Sequence, residues 1–234
     1  HAIMGGFAGA GVANAGWDSL RWDKLGAAME FIVISPLLGF LLGGLLMLAV
    51  AWLFRRSTPG KVDALFRRGQ LFSAALYSLG HGGNDAQKTM GVIVAVLVAA
   101  GSLRPDTQLS VLDLKTAWII FSCHAAMAIG TAFGGWRIVK TMGMRIAKLR
   151  PYGGFCAETA GAATLFLATH FGIPVSTTHT ITGAIIGVGS STRLSAVRWG
   201  VAFGIVVAWV LTIPAAGLIA ALTVRLFKLL LVIP

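Results

Sequence analysis

The stretch GAAMEFIVISPLLGFLLGGLLMLAVAWLF, residues 26–54, decides the class of fold. It carries one charged residue, Glu30, and exceeds the about 20 mostly apolar residues that a transmembrane helix needs. Of the 234 residues in the chain, 56% are hydrophobic and 12% are charged, whereas a soluble domain is about a quarter charged. The sequence therefore predicts a membrane protein rather than a soluble domain.

Four further stretches are long and apolar enough to enter a membrane, namely residues 71–101, 114–135, 155–190 and 199–224. The first and third of them are interrupted by segments that contain glycine or proline. No stretch has the alternating hydrophobicity of a transmembrane β-strand. We therefore predict an all-α polytopic membrane protein, embedded in the lipid bilayer of the plasma (inner) membrane.

The basic residues, which give the chain a net charge of +11, lie in short segments between the apolar stretches. Residues 55–68 carry several arginines and lysines against one acid, and residues 137–150 carry several and no acid. Residues 102–113, between them, are of mixed charge. Positive charge in short loops is typical of the cytoplasmic side, so this pattern sets membrane topology and excludes a nucleic-acid-binding face.

Cysteine and histidine give no metal or disulfide signature. Cys123 and Cys156 match neither a metal-binding spacing nor a disulfide framework. The same holds for four histidines, which we interpret as hydrogen-bonded packing residues: His81, His124, His170 and His179. His179 has the strongest claim to a function among them, because it directly follows a run of hydroxyl side chains. No metal site and no cofactor are predicted.

The start of the chain reappears near its end. HAIMGGFAGAG at residues 1–11 aligns with HTITGAIIGVG at residues 179–189, with His, Ile and three glycines in common. Pro36 then corresponds to Pro214. Similarity at a fixed offset indicates an internal repeat. We interpret residues 1–54 as the tail of a first repeat, 55–70 as a basic cytoplasmic loop and 71–234 as a second repeat.

The loop charges predict how the two repeats are oriented. The segment after the first copy, residues 18–24, is neutral and suits the outside, while its counterpart at residues 190–198 is basic and suits the inside. Opposite orientation results if residues 155–190 form a re-entrant hairpin, and parallel orientation results if they cross the membrane outright. The charges favour the hairpin and hence an inverted repeat, which is a common plan of secondary transporters.

The two interruptions are residues 80–85, GHGGND, and residues 172–179, GIPVSTTH. Non-helical backbone persists at membrane depth only where it is buried in protein or faces a wet cavity. In the first interruption Asn84 and Asp85 are suited to cap the helix that resumes. In the second, Pro174 ends one arm and Ser176 or Thr177 caps the next. We therefore predict two discontinuous helices.

A helix start of this kind is an anion site, because its free N–H groups carry partial positive charge. Asp85 would repel an anion unless a cation or a proton lay between them, so the combination suggests co-transport. The alternative for Asp85 is an ion pair with Lys88 one turn away. The alternative for Ser176, Thr177 and Thr178 is an ordinary helix start.

Glu158 is the acidic residue of the arm before the second interruption, where it lies among alanines and glycine. Small residues of this kind predict close helix packing. Glu158 either faces a cavity as a cation or proton ligand, or lies in the first turn at the membrane interface. Ionisable groups within membrane segments are functional by default, which favours the first alternative.

Two motifs resemble the inorganic phosphate transporter (PiT) family of bacterial type. GGNDAQKTMG, residues 82–91, is similar to the Gly-Asn-Asp signature of the second half of these proteins, and PVSTTH, residues 174–179, is similar to the companion motif. Glu158 stands at the upstream glutamate position of the same signature. The likeness extends over nearly the whole chain, because residues 1–11 resemble the tail of the first-half copy.

The resemblance implies inverted repeats and the symport of inorganic phosphate with a cation. It implies that the phosphate or cation ligands are Asn84, Asp85, Ser176, Thr177 and Thr178. It further implies that Glu158 serves cation coupling, together with Asp85 and Asn84. The Gln87-Lys88 version of the motif favours protons over sodium as the driving ion, and a metal–phosphate complex is a further form of the substrate.

Two other functions remain as alternatives to phosphate symport. One is a symporter of another oxyanion such as sulfate, since chemistry at helix ends hardly distinguishes the two anions. The other is an intramembrane hydrolase that uses Ser176 or Thr177 with His179 and Asp85, although no hydrolase motif supports it.

The expected protein is a transporter rather than an enzyme, and a homo-oligomer is left open. Because the first-half motif is not in this sequence, we expect transport to need the parent protein.

Overall fold

A computed structural model describes residues 1–231, apart from the side chain of Arg137, and residues 232–234 of the predicted second repeat lie outside the described residues. Over this part the chain forms the helices α1 (Ala2–Ala15), α2 (Trp22–Leu53), α3 (Pro59–Ala99), α4 (Leu114–Lys140), α5 (Pro151–His170), α6 (Thr177–Thr192) and α7 (Trp199–Leu231). Short 3-10 helices at Trp17–Ser19 and Leu194–Ala196 precede α2 and α7. The all-α prediction is confirmed.

Three helices within residues 1–231 are long and apolar enough to cross a membrane by length and composition: α2, the Leu114–Trp136 part of α4, and α7. The helix α3 has 41 residues and is therefore about 60 Å long, twice the thickness of the hydrocarbon core. Polar side chains along α3 lower its hydropathy below that of the other long helices. These polar positions carry the candidate site described below.

The predicted interruption at residues 80–85 is wrong, because α3 runs without a break from Pro59 to Ala99. Asn84 and Asp85 consequently lie in the helix interior and cap nothing. Glycine permits left-handed backbone but does not require it. Within residues 1–231 the glycines with positive φ are Gly16, Gly101 and Gly172, none of them in this segment.

Both predicted basic loops are shorter than expected. The helix α3 begins at Pro59, so residues 59–70 of the first predicted loop are helical. The helix α4 continues to Lys140 and is followed by a π-helical turn at Thr141–Ile146, so most of the second predicted loop is helical as well. Basic side chains do not prevent helix formation, because arginine and lysine are good helix formers.

The second predicted interruption is present. The helix α5 ends at His170, and Gly172 follows with φ +64°, a conformation that favours glycine. Pro174 lies beyond this turn, so the arm ends before the proline rather than at it. Ser176 is the N-cap of α6, and its hydroxyl accepts a hydrogen bond from the backbone N–H of His179 at 3.3 Å.

Helices α5 and α6 form a hairpin whose two ends meet. A Cβ added to Gly153, near the start of α5, would lie 3.3 Å from Cγ1 of Val188 near the end of α6. Just outside the hairpin, Ala147 and Val197 pair as an isolated antiparallel bridge. The chain therefore leaves the hairpin on the side where it entered, as the prediction of a hairpin requires.

The chain divides into two compact units, each described here by itself. The first comprises His1–Glu30 and Arg198–Pro234, and the second comprises Phe31–Val197. In the first unit α1 packs on α7, where Gly5 and Gly9 approach the backbone carbonyls of Ile213 and Gly217. Side chains larger than hydrogen do not fit at either glycine, so these glycines set the close packing.

The second unit contains a corresponding helix pair. In it α6 packs on α2, where Gly183 and Gly187 approach the backbone carbonyls of Pro36 and Phe40. Under the alignment of the predicted repeat, Gly183 and Gly187 correspond to the two packing glycines of α1. Pro36 and Phe40 lie 177 positions before Ile213 and Gly217, one position off the register that pairs Pro36 with Pro214, so the structure builds a similar contact twice.

The histidine at the start of each repeat copy also makes a similar contact in both helix pairs. Nδ1 of His1 lies 3.3 Å from the carbonyl oxygen of Trp209, and Nδ1 of His179 lies 3.4 Å from the carbonyl oxygen of Ile32. Recurring contacts at equivalent positions support an internal repeat. The opposite orientation of the two copies in the membrane stays a prediction.

Candidate functional site

Polar side chains form one stripe along α3, facing the α5–α6 hairpin. Its members recur every three or four residues, which places them on the same face of a helix. They are Gln70, Ser73, Tyr77, His81, Asp85 and Lys88. Each makes a contact described in the next paragraphs, and all of them belong to the second unit.

The carboxylate of Glu158, on α5, binds the first part of the stripe. Ser73 donates its hydroxyl hydrogen to Oε2 at 2.5 Å, and the side-chain amide of Gln70 donates to Oε1 at 3.3 Å. Among the side chains that the structure describes, no basic group lies within 4 Å of this carboxylate. Glu158 is thus a partly buried acid held by two neutral donors.

The carboxylate of Asp85 binds the second part of the stripe and the start of α6. Lys88 donates to Oδ1 at 2.7 Å, and Nε2 of His81 lies 3.1 Å from Oδ2. The hydroxyl of Thr177, the first residue of α6, donates to the same Oδ2 at 3.1 Å. Asp85 therefore joins α3 to the helix start that follows the interruption.

Two further hydrogen bonds connect α3 to this region. The ammonium group of Lys88 donates to the backbone carbonyl of Val175 at 2.6 Å. The hydroxyl of Tyr77 donates to the carbonyl of Thr177 at 3.3 Å, and the ring of Tyr77 stacks on that of His81 with centroids 5.9 Å apart. The segment between α5 and α6 is consequently held against α3 at several points.

A cavity of about 790 Å³ opens beside these contacts, within the range typical of small-molecule sites. Its polar lining consists mainly of Gln70, Tyr77, His81, Arg150, Glu158, Thr177 and Thr178. The opposite wall comes from α4, whose small and apolar residues between Ala126 and Val139 face the cavity. The candidate site thus combines hydroxyls, basic groups and the carboxylate of Glu158, which has no described basic partner, in a partly enclosed space.

The structure places the predicted site residues in three different situations. Glu158, Thr177 and Thr178 line the cavity, and Asp85 contacts two of the residues that line it. Asn84 is buried and donates from its amide to the hydroxyl of Thr169 on α5 at 3.2 Å.

The remaining site residue, Ser176, uses its hydroxyl as the helix cap. The ion pair between Asp85 and Lys88, weighed above as an alternative to a functional role, is formed as well.

Gln70, Ser73, Tyr77 and His81 were missed as site residues. His81, interpreted as a packing residue, instead contacts Asp85 and lines the cavity. Their spacing in the sequence was a usable signal, because a polar stripe at helical periodicity running through the glycine-rich segment indicates one continuous helix.

The hydrolase arrangement proposed as an alternative is not assembled. Ser176 accepts a hydrogen bond from the backbone of His179, not from its ring. Asp85 contacts His81, Lys88 and Thr177, and the His179 ring has Nδ1 beside the carbonyl of Ile32. A nucleophile, a base and an orienting acid in mutual hydrogen-bond reach are required for such a site.

Comparison with known proteins gives one consistent result. Residues 1–220 match the family described as the phosphate transporter family. A probable low-affinity inorganic phosphate transporter of Rhizobium meliloti (strain 1021) is 59% identical over 222 residues, and one of Bacillus subtilis (strain 168) is 42% identical over 222 residues. In both comparisons the match covers 95% of this chain and 65% of the relative, so the chain spans less than two thirds of these proteins.

The fold also matches a solved structure, that of a sodium-dependent phosphate transporter, with a TM-score of 0.79. The match covers 97% of this chain and 72% of the other, at 21% sequence identity. At this identity the likeness shows the fold.

Proposed function

Because this chain belongs to the phosphate transporter family, we propose that it is the part of a secondary transporter that binds inorganic phosphate and moves it with a cation. The family resemblance predicted from the two motifs is confirmed, and the relatives named above are described as transporters, which supports the prediction of a transporter rather than an enzyme. The predicted multi-pass membrane protein is confirmed too, and in bacteria such a protein lies in the plasma membrane.

The observation that carries the proposal is the hydrogen bond from Thr177 to Asp85, at the edge of the cavity. It joins the Gly-Asn-Asp segment on α3 to the Ser-Thr-Thr segment at the start of α6. The two segments thus contribute to one site, as a transporter that binds its substrate at a discontinuous helix requires.

In the proposed binding mode, phosphate enters the cavity and reaches the N-terminal turn of α6. The free N–H groups of that turn and the hydroxyl of Thr178 supply hydrogen-bond donors and partial positive charge, while the hydroxyl hydrogen of Thr177 is donated to Asp85. Arg150 in the cavity wall attracts the anion. The negative charge of Asp85 is offset by Lys88, so it does not exclude phosphate.

In the same proposal Glu158 carries the co-transported cation. Its carboxylate accepts two hydrogen bonds from neutral donors and contacts no described basic group, so a cation or a proton is needed to offset its charge. We favour a proton over sodium, because a proton needs only the carboxylate itself. Sodium is the alternative, because the structural neighbour is named a sodium-dependent phosphate transporter.

The experiment is radiolabelled phosphate uptake into proteoliposomes that contain the full-length parent protein, with proton and sodium gradients imposed separately. The proposal expects uptake under a proton gradient alone, and little added effect of sodium. Unlabelled sulfate in excess should leave uptake unchanged, whereas unlabelled phosphate should suppress it. Absence of phosphate uptake under either gradient by folded protein would contradict the proposal, and competition by sulfate would make an oxyanion transporter of broader specificity the better description.

A further inference from the structure

The ammonium group of Lys88 lies between two oxygens of different origin. One is Oδ1 of Asp85 on α3, at 2.7 Å, and the other is the backbone carbonyl oxygen of Val175, at 2.6 Å. Both distances are those of strong, charge-assisted hydrogen bonds. Val175 belongs to the segment between α5 and α6, where the backbone is not helical and its carbonyl is free of intrahelical partners.

This pair of oxygens has the chemistry of a cation site. Hard monovalent and divalent cations bind oxygen ligands, carboxylate and backbone carbonyl among them. Carbonyls of unwound segments are frequent cation ligands in transporters with discontinuous helices. In this chain the position between the two oxygens is filled by the cation of a side chain instead.

We propose that Lys88 is a tethered cation that takes the place of a monovalent metal ion between Asp85 and Val175. This inference rests on the proposed function and adds to it: the site at Asp85 needs no metal cation for phosphate to bind. The co-transported cation is then left to the second carboxylate, that of Glu158, which has no described basic partner within 4 Å. The inference therefore implies one site for a cation from solution, at Glu158, rather than two sites.

Both contacts of the ammonium group need the full length of the Lys88 side chain, which extends from α3 to the segment between α5 and α6. Its side chain is 29% exposed and that of Asp85 is 28% exposed, so water reaches the pair but does not surround it. Shortening residue 88 removes the ammonium and leaves both oxygens facing a space open to a small cation. A sodium ion from solution can then restore the lost charge.

The test compares Lys88→Ala with the unaltered sequence, each in the full-length parent protein, by phosphate uptake under one fixed proton gradient in sodium, potassium or choline chloride. Lys115→Ala is the matched control, because Lys115 is exposed at the start of α4. We expect equal uptake in the three salts for the unaltered protein and the control. Lys88→Ala should lose at least about tenfold in choline and recover most of the loss in sodium.

A second readout does not depend on transport. Sodium should raise the thermal unfolding temperature of detergent-solubilised Lys88→Ala above its value in choline, and should leave that of the unaltered protein and of Lys115→Ala unchanged, because a ligand stabilises the state that binds it. Should Lys88→Ala fail to fold, Lys88→Gln serves the same comparison, since it keeps a polar side chain without the charge.

Two results would overturn the inference: uptake by Lys88→Ala that matches the unaltered protein in choline, or folded charge-free variants that sodium neither reactivates nor stabilises. Lack of phosphate uptake by the unaltered protein would instead count against the proposed function. The unfolding comparison would then still decide whether Lys88 fills a cation position.

Discussion

Thr177 donates its hydroxyl hydrogen to Oδ2 of Asp85 at 3.1 Å, across 92 positions of sequence. The donor is the first residue of α6, after an interruption in the helix, and the acceptor is in the middle of α3. Thr177 is buried and Asp85 partly buried, so the bond forms where water competes less than at the surface. The two segments that resemble family motifs are thereby in direct contact.

Removal of this hydroxyl tests whether the bond matters to substrate binding. Thr177→Val keeps the branched shape and loses the donor, and we expect KM for phosphate to rise at least about tenfold, because a hydrogen bond to a charged group contributes about 1.5–3 kcal/mol. Thr177→Ser keeps the hydroxyl and should stay within about twofold of the unaltered protein. Initial uptake rates across phosphate concentrations give the comparison, and equal KM for both variants would refute it.

Glu158→Gln tests the assignment of coupling to that carboxylate. The variant keeps the shape of the side chain and cannot offset a cation's charge, so gradient-driven uptake should fall to the level seen without a gradient. Exchange of internal for external phosphate should persist, because it needs no net movement of a cation.

Ser73→Ala is the control for the coupling test. It removes the 2.5 Å hydrogen bond but leaves the carboxylate, and it should slow uptake by about tenfold at most while retaining gradient dependence. Gradient-driven uptake by Glu158→Gln at the unaltered level would contradict the role of Glu158.

Two glycine substitutions test the continuity of α3 against the close packing of α6. A Cβ at Gly82 meets nothing within 4 Å, so Gly82→Ala should stabilise the protein by about 0.5–1 kcal/mol, as in any helix interior. A Cβ at Gly183 meets the backbone of Pro36 on α2, so Gly183→Ala should destabilise by about 1–3 kcal/mol.

Thermal unfolding of both variants in detergent provides the measurement. We expect the highest unfolding temperature for Gly82→Ala, an intermediate one for the unaltered protein and the lowest for Gly183→Ala. A fall for Gly82→Ala as large as that for Gly183→Ala would mean that residue 82 needs a backbone conformation that alanine resists, and that α3 is interrupted there.

The sequence predicted one of its two interruptions correctly, and the difference has a physical basis. Pro174 has no N–H to donate and Gly172 adopts φ +64°, so the segment after α5 cannot continue as a helix. At residues 80–85 there is no proline, and the glycines keep helical backbone at a modest cost in propensity. Proline is therefore a stronger indication of a break than glycine.

The site shows the same division between strong and weak signals. Glu158 was predicted because ionisable groups within membrane segments are functional by default, and Thr177 because it follows Pro174 at a helix start, where anions bind. Ser73 and Gln70 are ordinary polar residues on a helix, and their role depends on a partner 85 or more positions away in sequence. Pairings of that kind follow from packing of α3 on α5, which one sequence does not specify.

The most direct test of the central claim is phosphate uptake by Asp85→Asn in the full-length parent protein, under a proton gradient, beside Asp106→Asn. Asp106 is an exposed acid paired with Arg104, so its variant controls for the loss of one negative charge. Asp85→Asn leaves Lys88 without its ionic partner, and we expect uptake at least about tenfold lower in protein that remains folded, while Asp106→Asn keeps full uptake. Unchanged uptake by folded Asp85→Asn would contradict the claim that the α3 and α6 segments form one phosphate site around this carboxylate.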